Sequence, residues 1–177
     1  MVDEKAIEAA EKQYGQLLRQ QLERVERLKH EPDWTDYSKL DKLIVGVCGG
    51  DGIGPYICAE AQKVLEFLLA DKIKAGKVEV RQIDGLTIER RAAVMKAIPD
   101  DTMAQLKECH VILKGPTTTP KKGDQWPNIE SANVAMRKEL DLFANIRPVS
   151  VPELGIDWRF YRENTEGSYA VGSNGIN

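Results

Sequence analysis

The chain has 177 residues, of which 42% are hydrophobic and 30% charged, with a net charge of −3 and a pI near 5.5. These values are typical of a globular chain of one domain or slightly more, and they exclude a strongly basic nucleic-acid-binding protein. No apolar run reaches the roughly 20 residues of a transmembrane helix, and no signal peptide is recognisable. Cys48, Cys58 and Cys109 lack metal-binding spacing, so we expect reduced thiols in a cytoplasmic protein.

Residues 3–30 are predicted to form an amphipathic helix, followed by a polar linker to Lys42. Apolar side chains recur at helical spacing, while charged and amide side chains occupy the other positions. Because this apolar stripe spans too few heptads for a long coiled coil, we expect it to pack on its own protein or on a sister subunit. The stripe consists of Ile7, Tyr14, Leu17, Leu18, Leu22, Val25 and Leu28.

A strand, a glycine-rich loop and a helix are predicted next. Residues 43–48 are apolar and β-branched, which is typical of a strand buried on both faces. The glycines of the loop 49–55 alternate instead of following the Rossmann spacing, so we expect them to serve a tight turn with positive φ rather than to bind phosphate. The helix is predicted to run from Pro55 to about Ala70 and to face inward through Ile57, Ala61, Val64, Leu65, Leu68 and Leu69.

The remaining segments alternate between strands and helices. Strands are predicted at 77–83, 111–113, 142–151 and 158–162, and helices at 89–97, 103–108 and 132–142. The polar loop 114–120 follows a strand, and ligands bind beyond the carboxyl ends of strands in open α/β sheets. Ser131 is placed to cap the helix that follows it, a role compatible with a ligand at the same helix start.

Three arginines, Arg137, Arg147 and Arg162, lie among apolar residues in the stretch between Ser131 and Tyr169. An arginine stays charged at working pH and grips a carboxylate through two parallel hydrogen bonds. A single arginine more often pairs with an acidic side chain on the surface. The combination of three arginines with a nearby Ser/Asn pair favours a small ligand that carries several carboxylates.

Five motifs occur in one order: Gly50-Asp51-Gly52-Ile53-Gly54-Pro55, Leu113-Lys114-Gly115-Pro116 with Thr117-Thr118-Thr119-Pro120, Ser131-x-Asn133-x-x-x-Arg137, Leu140 to Pro148, and Arg162-Glu163-Asn164-Thr165-Glu166-Gly167. Together they resemble the β-decarboxylating dehydrogenases, the isocitrate and isopropylmalate dehydrogenase family, from Leu43 to about Ala170. The resemblance implies an α/β three-layer sandwich distinct from the Rossmann fold, here incomplete and with an extra N-terminal helix. It implies a helical extension and linker at 1–42, part of a large α/β domain at 43–140, and the start of a small domain and dimer arm at 141–177.

The resemblance also implies a substrate. In this family, arginines matching Arg137, Arg147 and Arg162 hold the malate part of the substrate, and the positions of Ser131 and Asn133 contact the variable group. A serine hydroxyl and an asparagine amide suit a third carboxylate, but they would be left unpaired against an isopropyl group. Isocitrate is therefore the expected substrate, and homoisocitrate, isopropylmalate and tartrate are alternatives.

Catalytic and cofactor roles follow from the same resemblance. Tyr169 is the expected acid that protonates the enol after CO2 leaves. Lys114, Thr117, Thr118 and Thr119 are expected to approach the substrate and the nicotinamide of NAD or NADP, and the Arg162 motif favours NAD. Mg2+ or Mn2+ is implied as well, but its ligands are expected beyond Asn177, so no metal ligand is expected in this chain.

Two hypotheses about function follow. The first is the N-terminal portion of an NAD(P)-dependent isocitrate dehydrogenase, acting as a homodimer or with a complementing C-terminal chain and inactive alone. The second is a non-catalytic relative that binds a polycarboxylate or a partner subunit. Neither hypothesis includes a nucleic-acid or membrane partner.

Overall fold

The computed structural model describes residues 3–30 and 35–167. These residues divide into two units, which we name the sheet unit (residues 37–142) and the hairpin unit (residues before 37 together with residues from 143 onward). The sheet unit contains three strands and the hairpin unit contains two.

The helices and strands follow the order predicted from the sequence, with shifted boundaries and one extra short helix, α3. The helices in the described ranges are α1 (Glu4–His30), α2 (Gly54–Leu68), α3 (Ala70–Lys74), α4 (Ile88–Ala93), α5 (Asp100–Lys107) and α6 (Ala132–Glu139). The strands there are β1 (Leu43–Cys48), β2 (Val78–Gln82), β3 (Val111–Lys114), β4 (Ala144–Val151) and β5 (Ile156–Glu163). Short 3-10 helices occur at Tyr37–Lys39 and Pro152–Leu154.

The sheet of the sheet unit is parallel, with β1 between β2 and β3. The central position explains the sequence of β1, because a strand with neighbours on both sides and helices nearby favours an uninterrupted apolar run. Its last four residues, from Val45 to Cys48, are buried. Since the strands are parallel, the glycine loop after β1 and the loop after β3 leave the same edge of the sheet.

The hydrophobic core of the sheet unit lies between the ends of these strands and two helices. Leu106 of α5 is fully buried, as is Ala132 of α6, and Met136 is 5% exposed. Burial of Ala132 and Met136 fixes α6, the helix that follows the predicted substrate contact Ser131. The core cluster consists of Cys48, Ile83, Leu86, Ile98, Leu106, Ala132 and Met136.

The predicted inward face of α2 is wrong in part: Leu65 and Leu69 are half-buried, but the other members of that face are exposed. Ile57, Val64 and Leu68 are 49%, 59% and 71% exposed. The buried residues of α2 are instead Gly54 and Cys58. The helix approaches the sheet through small residues in its first turns, where the Cys58 thiol donates to the Cys48 carbonyl at 3.7 Å.

Helix α4 is also shorter than predicted and ends at Ala93. Met95 adopts a φ of 53°, in the left-handed region, which a continuing α-helix does not allow. The chain therefore turns before Ala97, and this turn directs the carbonyl of Ala97 back toward α4, where a side chain of that helix binds it.

Strands β4 and β5 form the antiparallel hairpin of the hairpin unit. Its connection is the 3-10 turn Pro152–Leu154, closed by Gly155 at a φ of +64°. Asn145 is opposite Arg162 and Arg147 is opposite Phe160. This register decides which arginines share a face of the hairpin.

Helix α1 confirms the predicted helix, but within the described residues its apolar stripe is not buried. Tyr14 is 61% exposed and Leu22 is 65% exposed. Within the hairpin unit, the helix instead contacts the turn after β5 through Arg24, whose guanidinium pairs with Glu166 at 2.9 Å. None of the helices in the described ranges has both the length and the apolar character needed to cross a membrane.

Candidate active site

The loops that follow β1 and β3 contact each other through their backbones. The amide of Gly115 donates to the Cys48 carbonyl, and the amide of Asp51 donates to the Pro116 carbonyl, both at 2.8 Å. Gly50 has a φ of +71°, and a Cβ there would lie 2.0 Å from the Pro116 oxygen. The prediction that the glycines serve a tight turn is therefore confirmed at Gly50.

Asp51 connects three segments through its carboxylate. One oxygen accepts from the amide of Ile88, the first residue of α4, at 2.7 Å. The other accepts from the amide of Thr118 at 2.6 Å. The loop 117–119, predicted to approach the cofactor, is thus held by a residue of the glycine loop.

Arg91 of α4 is fully buried, with a relative exposure of 0%. Its guanidinium donates to three backbone carbonyls: Ala97 at 2.7 Å, Thr118 at 2.8 Å and Glu130 at 3.1 Å. Burial lowers the pKa of Arg91, and the nearby Asp51 carboxylate opposes that shift. Arg91 thus binds both the loop after β3 and the residue that precedes Ser131.

The ammonium group of Lys114, a predicted cofactor contact, is hydrogen-bonded within its own loop. It donates to the Gly115 carbonyl at 2.8 Å and to the Thr117 hydroxyl at 3.2 Å. Burial lowers the pKa of Lys114 more than any neighbouring charge alters it. These contacts hold the loop in shape, and contact of Lys114 or Thr117 with a cofactor stays a prediction.

Helix α6 carries three of the predicted substrate contacts. Ser131 occupies the N-cap position, but its hydroxyl makes no capping hydrogen bond. Asn133 and Arg137 are four residues apart and share one face of the helix. The ion pairs found among residues 3–30 and 35–167 include none for Arg137, so the alternative role of an arginine locked to a surface acid does not apply within the described residues.

The hairpin carries the other two predicted arginines. Because Asn145 is opposite Arg162, the side chains of Arg147 and Arg162 lie on the same face, as diagonal neighbours. The guanidinium of Arg147 donates to the Asn145 amide oxygen at 2.9 Å, which orients it along the strand. Both arginines are exposed side chains on a paired, regular backbone.

The turn after β5 is organised by Glu163. Its carboxylate accepts from the amide and hydroxyl of Thr165 and from the amide of Glu166. The hydrogen bond from the Thr165 amide is the largest cause of the lowered pKa of Glu163. Thr165 also receives a contact from Arg24 of α1 at 3.4 Å, so α1 adjoins the motif that contains Arg162.

The structure divides the predicted site residues between the two units. Ser131, Asn133 and Arg137 belong to the sheet unit with the loop 114–119, whereas Arg147 and Arg162 belong to the hairpin unit. Tyr169 lies outside the described residues. In the ranges 3–30 and 35–167, no three His, Cys, Asp or Glu side chains are grouped as a metal ion would require.

A separate cleft of about 820 Å³ lies at the carboxyl ends of β1 and β2. Its polar lining includes Gln62, Gln82, Asp84, Arg90 and Asp101. Arg90 and Asp101 are paired with each other at 2.9 Å. None of the predicted site residues lines this cleft.

Sequence reasoning missed Asp51 and Arg91. In the sequence Asp51 is only a member of the glycine motif, although a carboxylate in a tight loop does signal a role in holding backbone amides. For Arg91 the sequence offers no signal, because a basic residue on a short helix is normally exposed. Its adjacent neighbour Arg90 behaves in that ordinary way, pairing with Asp101 at the surface.

The family model described as isocitrate/isopropylmalate dehydrogenase matches residues 44–176. Isocitrate dehydrogenase (NADP) of Caldococcus noboribetus is 40% identical over 143 residues, which cover 73% of this chain and 31% of that protein. The enzyme of the same name from Haloferax volcanii is 32% identical over 158 residues, covering 82% and 35%. The one from Thermus thermophilus is 36% identical over 137 residues, covering 73% and 26%.

Among solved structures, the apo form of a β-decarboxylating dehydrogenase from Thermococcus kodakarensis is similar, with a TM-score of 0.55 and 31% identity over 71% of this chain and 35% of that one. The chain thus spans about a third of the length of these relatives. The match begins after α1, so α1 lies outside the family segment. From the motifs, the parallel sheet and the match over residues 44–176, we conclude that the chain belongs to the isocitrate/isopropylmalate dehydrogenase family.

Proposed function

We propose that this chain supplies the substrate-carboxylate-binding part of an isocitrate dehydrogenase, which converts isocitrate to 2-oxoglutarate by oxidative decarboxylation. The observation that carries the proposal is the arrangement of side chains at the start of α6. This helix presents Asn133 and Arg137 on one face, next to a Ser131 hydroxyl that makes no capping bond. The names of the relatives support the same activity.

The chemistry of these side chains favours a tricarboxylate. A guanidinium binds a carboxylate with two parallel hydrogen bonds, and we assign this role to Arg137, Arg147 and Arg162. A hydroxyl at Ser131 and an amide at Asn133 can donate to a further carboxylate. Against an isopropyl group the same polar atoms would lose their hydration without gaining a partner, which disfavours isopropylmalate.

In the proposed reaction the C2 hydroxyl gives its proton to a base while the C2 hydrogen passes as hydride to the nicotinamide. The bond from C3 to its carboxylate then breaks to release CO2, and C3 of the resulting enol is protonated. This chain would hold the carboxylates through its arginines and present Thr117, Thr118 and Thr119 toward the nicotinamide. Tyr169 would donate the final proton. The described residues do not fit Mg2+ or Mn2+, because they offer no grouped donor set, so no step is assigned to a metal ion in this chain.

The cofactor is proposed to be NAD or NADP. The Arg162 motif favours NAD in the sequence, whereas the relatives named above are NADP enzymes. We give the names of the relatives more weight, because they belong to whole proteins that include the remaining two thirds of the family length. We also propose that a second copy of this chain or a complementing C-terminal chain completes the site. The proposed domains span residues 1–42, 43–140 and 141–177.

A calorimetric titration with isocitrate tests the proposal on α6. We expect Arg137→Ala to weaken binding about tenfold or more, since a hydrogen bond to a charged group contributes about 1.5–3 kcal/mol. Lys138→Ala is the matched control, because Lys138 is the next residue on α6 and pairs with Glu130 at 3.3 Å. Equal affinities of the Arg137→Ala variant and the unaltered chain would refute the assignment.

A further inference from the structure

Thr118 is held on both sides of its backbone by charged side chains. Its amide donates to the Asp51 carboxylate at 2.6 Å, and its carbonyl accepts from the Arg91 guanidinium at 2.8 Å. Hydrogen bonds with one charged partner are about twice as strong as those between neutral groups. The middle residue of the loop 117–119 is therefore more firmly fixed than an ordinary loop residue.

The guanidinium of Arg91 also reaches the start of α6. Its third hydrogen bond, at 3.1 Å, is to the carbonyl of Glu130, the residue before Ser131. One buried side chain thus connects the loop assigned to the nicotinamide with the helix assigned to the substrate. A single planar group therefore contacts both segments and constrains the distance between them.

Asp51 closes the arrangement into a ring. Its second oxygen accepts from the amide of Ile88 at 2.7 Å, and Ile88 begins α4, the helix that carries Arg91. The ring runs from Asp51 through Thr118 to Arg91 and returns through α4 to Asp51. Movement of the loop would break hydrogen bonds to both charged groups at once.

The three hydrogen bonds of the buried residue require that it be an arginine. Burial of a cation is costly unless it is fully hydrogen-bonded, and Arg91 is 0% exposed. Only arginine offers a rigid fork with five N–H donors, which can bind three carbonyls in three directions. A lysine at this position carries the same charge but donates from one nitrogen, so it cannot hold Thr118 and Glu130 in the same way.

We propose that Asp51 and Arg91 are positioning residues that fix the loop 117–119 relative to the start of α6, so that the cofactor-side and substrate-side contacts keep a constant separation. The proposal rests on the function proposed above, because that function assigns ligand roles to both segments. The fixed separation matters for hydride transfer, which depends on the alignment of substrate and nicotinamide.

Amide hydrogen exchange of the full chain, read by NMR, tests this proposal without any ligand. The reporters are the amide of Thr118 and the amide of Ala135, which donates to the Ser131 carbonyl at 3.0 Å. In Arg91→Lys we expect exchange at both reporters to rise about tenfold or more, the effect of losing one hydrogen bond to a charged group. In Arg90→Lys, the control on the same helix, neither should change, because the Arg90 side chain pairs with Asp101 at the surface.

Asp51→Asn separates the two parts of the ring and serves if Arg91→Lys does not fold. This variant should raise exchange at Thr118 but leave Ala135 unchanged, because Arg91 still binds Glu130. Unchanged exchange at Thr118 in both variants would overturn the proposal. So would a uniform rise over β1, β2 and β3, since that would indicate a general loss of stability.

Titration with isocitrate distinguishes failure of this inference from failure of the proposed function. We expect Arg91→Lys to bind isocitrate about tenfold more weakly than the unaltered chain, and Arg90→Lys to bind within about twofold of it. If the unaltered chain does not bind isocitrate, the proposed function fails, while the exchange rates still decide whether Asp51 and Arg91 hold the two segments.

Discussion

At Gly50 the backbone leaves no room for a side chain. The close approach of the loops after β1 and β3 depends on this position, because its missing Cβ is what lets the Pro116 carbonyl accept from Asp51. The sequence predicts the positive φ of this glycine but not its packing partner. The partner is set by tertiary structure, since Pro116 is distant along the chain.

Alanine substitutions at Gly50 and Gly52 test the close approach. Gly50→Ala adds a Cβ at 2.0 Å from the Pro116 oxygen and also strains a φ of +71°, so we expect a loss of about 2–5 kcal/mol in the free energy of unfolding. Gly52→Ala strains a similar φ of +59° but meets nothing within 4 Å, so we expect a loss of only about 1–2 kcal/mol. Urea denaturation of both variants measures the difference, and equal losses would contradict the packing argument.

The thiol state of the three cysteines can be predicted from the sequence, because a free thiol needs no bonding partner elsewhere in the chain. Their spacing predicts reduced thiols, and Cys48, Cys58 and Cys109 are free in the structure. Burial raises the pKa of Cys48 to about 11, so its thiol is protonated at neutral pH. The stability that follows from this shift is present below pH 9.0, the ordinary value, and is lost as the pH rises from there toward 11.

At the scale of elements, the sequence predicts the bounds of strand β1 better than the buried face of helix α2. The apolar run of β1 has one explanation, burial in a parallel sheet, and its bounds are as expected. Helix α2 has apolar residues on several sides, so periodicity alone did not show that it approaches the sheet through Gly54 and Cys58. Because α2 approaches the sheet through these small residues, large apolar side chains such as Phe67, which is 82% exposed, face outward.

The hairpin offers a prediction about faces. Arg147 lies on the same face as Arg162, whereas Arg159, opposite Pro148, lies on the other face. We expect Arg147→Ala to weaken isocitrate binding about tenfold or more, since one charged pairing is lost. Arg159→Ala removes the same charge from the opposite face and should change the affinity less than about twofold. A calorimetric titration compares the two, and similar losses would indicate a nonspecific effect of charge.

At the scale of the whole molecule, a helix precedes the segment that matches the family model. The family match begins at residue 44, whereas α1 ends at His30 and contacts the turn after β5 through the pairing of Arg24 with Glu166. The sequence predicted α1 as a helix but not this contact, because the pairing of Arg24 with Glu166 joins residues that are far apart along the chain. Long-range pairs of this kind leave no periodic pattern.

The motifs identify the predicted contacts of the site, and the structure shows how the backbone of five of them is held. Ser131, Asn133 and Arg137 are fixed by burial of Ala132 and Met136, while Arg147 and Arg162 are fixed by strand pairing. What the motifs could not show is the support behind them, Asp51 and Arg91. Their roles depend on backbone groups that become neighbours only when the sheet forms.

The central claim is that Ser131 and Asn133 select a third carboxylate. Calorimetric titration of the chain with isocitrate and with isopropylmalate tests it most directly, together with the double variant Ser131→Val, Asn133→Leu. The unaltered chain should bind isocitrate at least about tenfold more tightly than isopropylmalate, and the double variant should lose that preference. Tighter binding of isopropylmalate by the unaltered chain would contradict the claim.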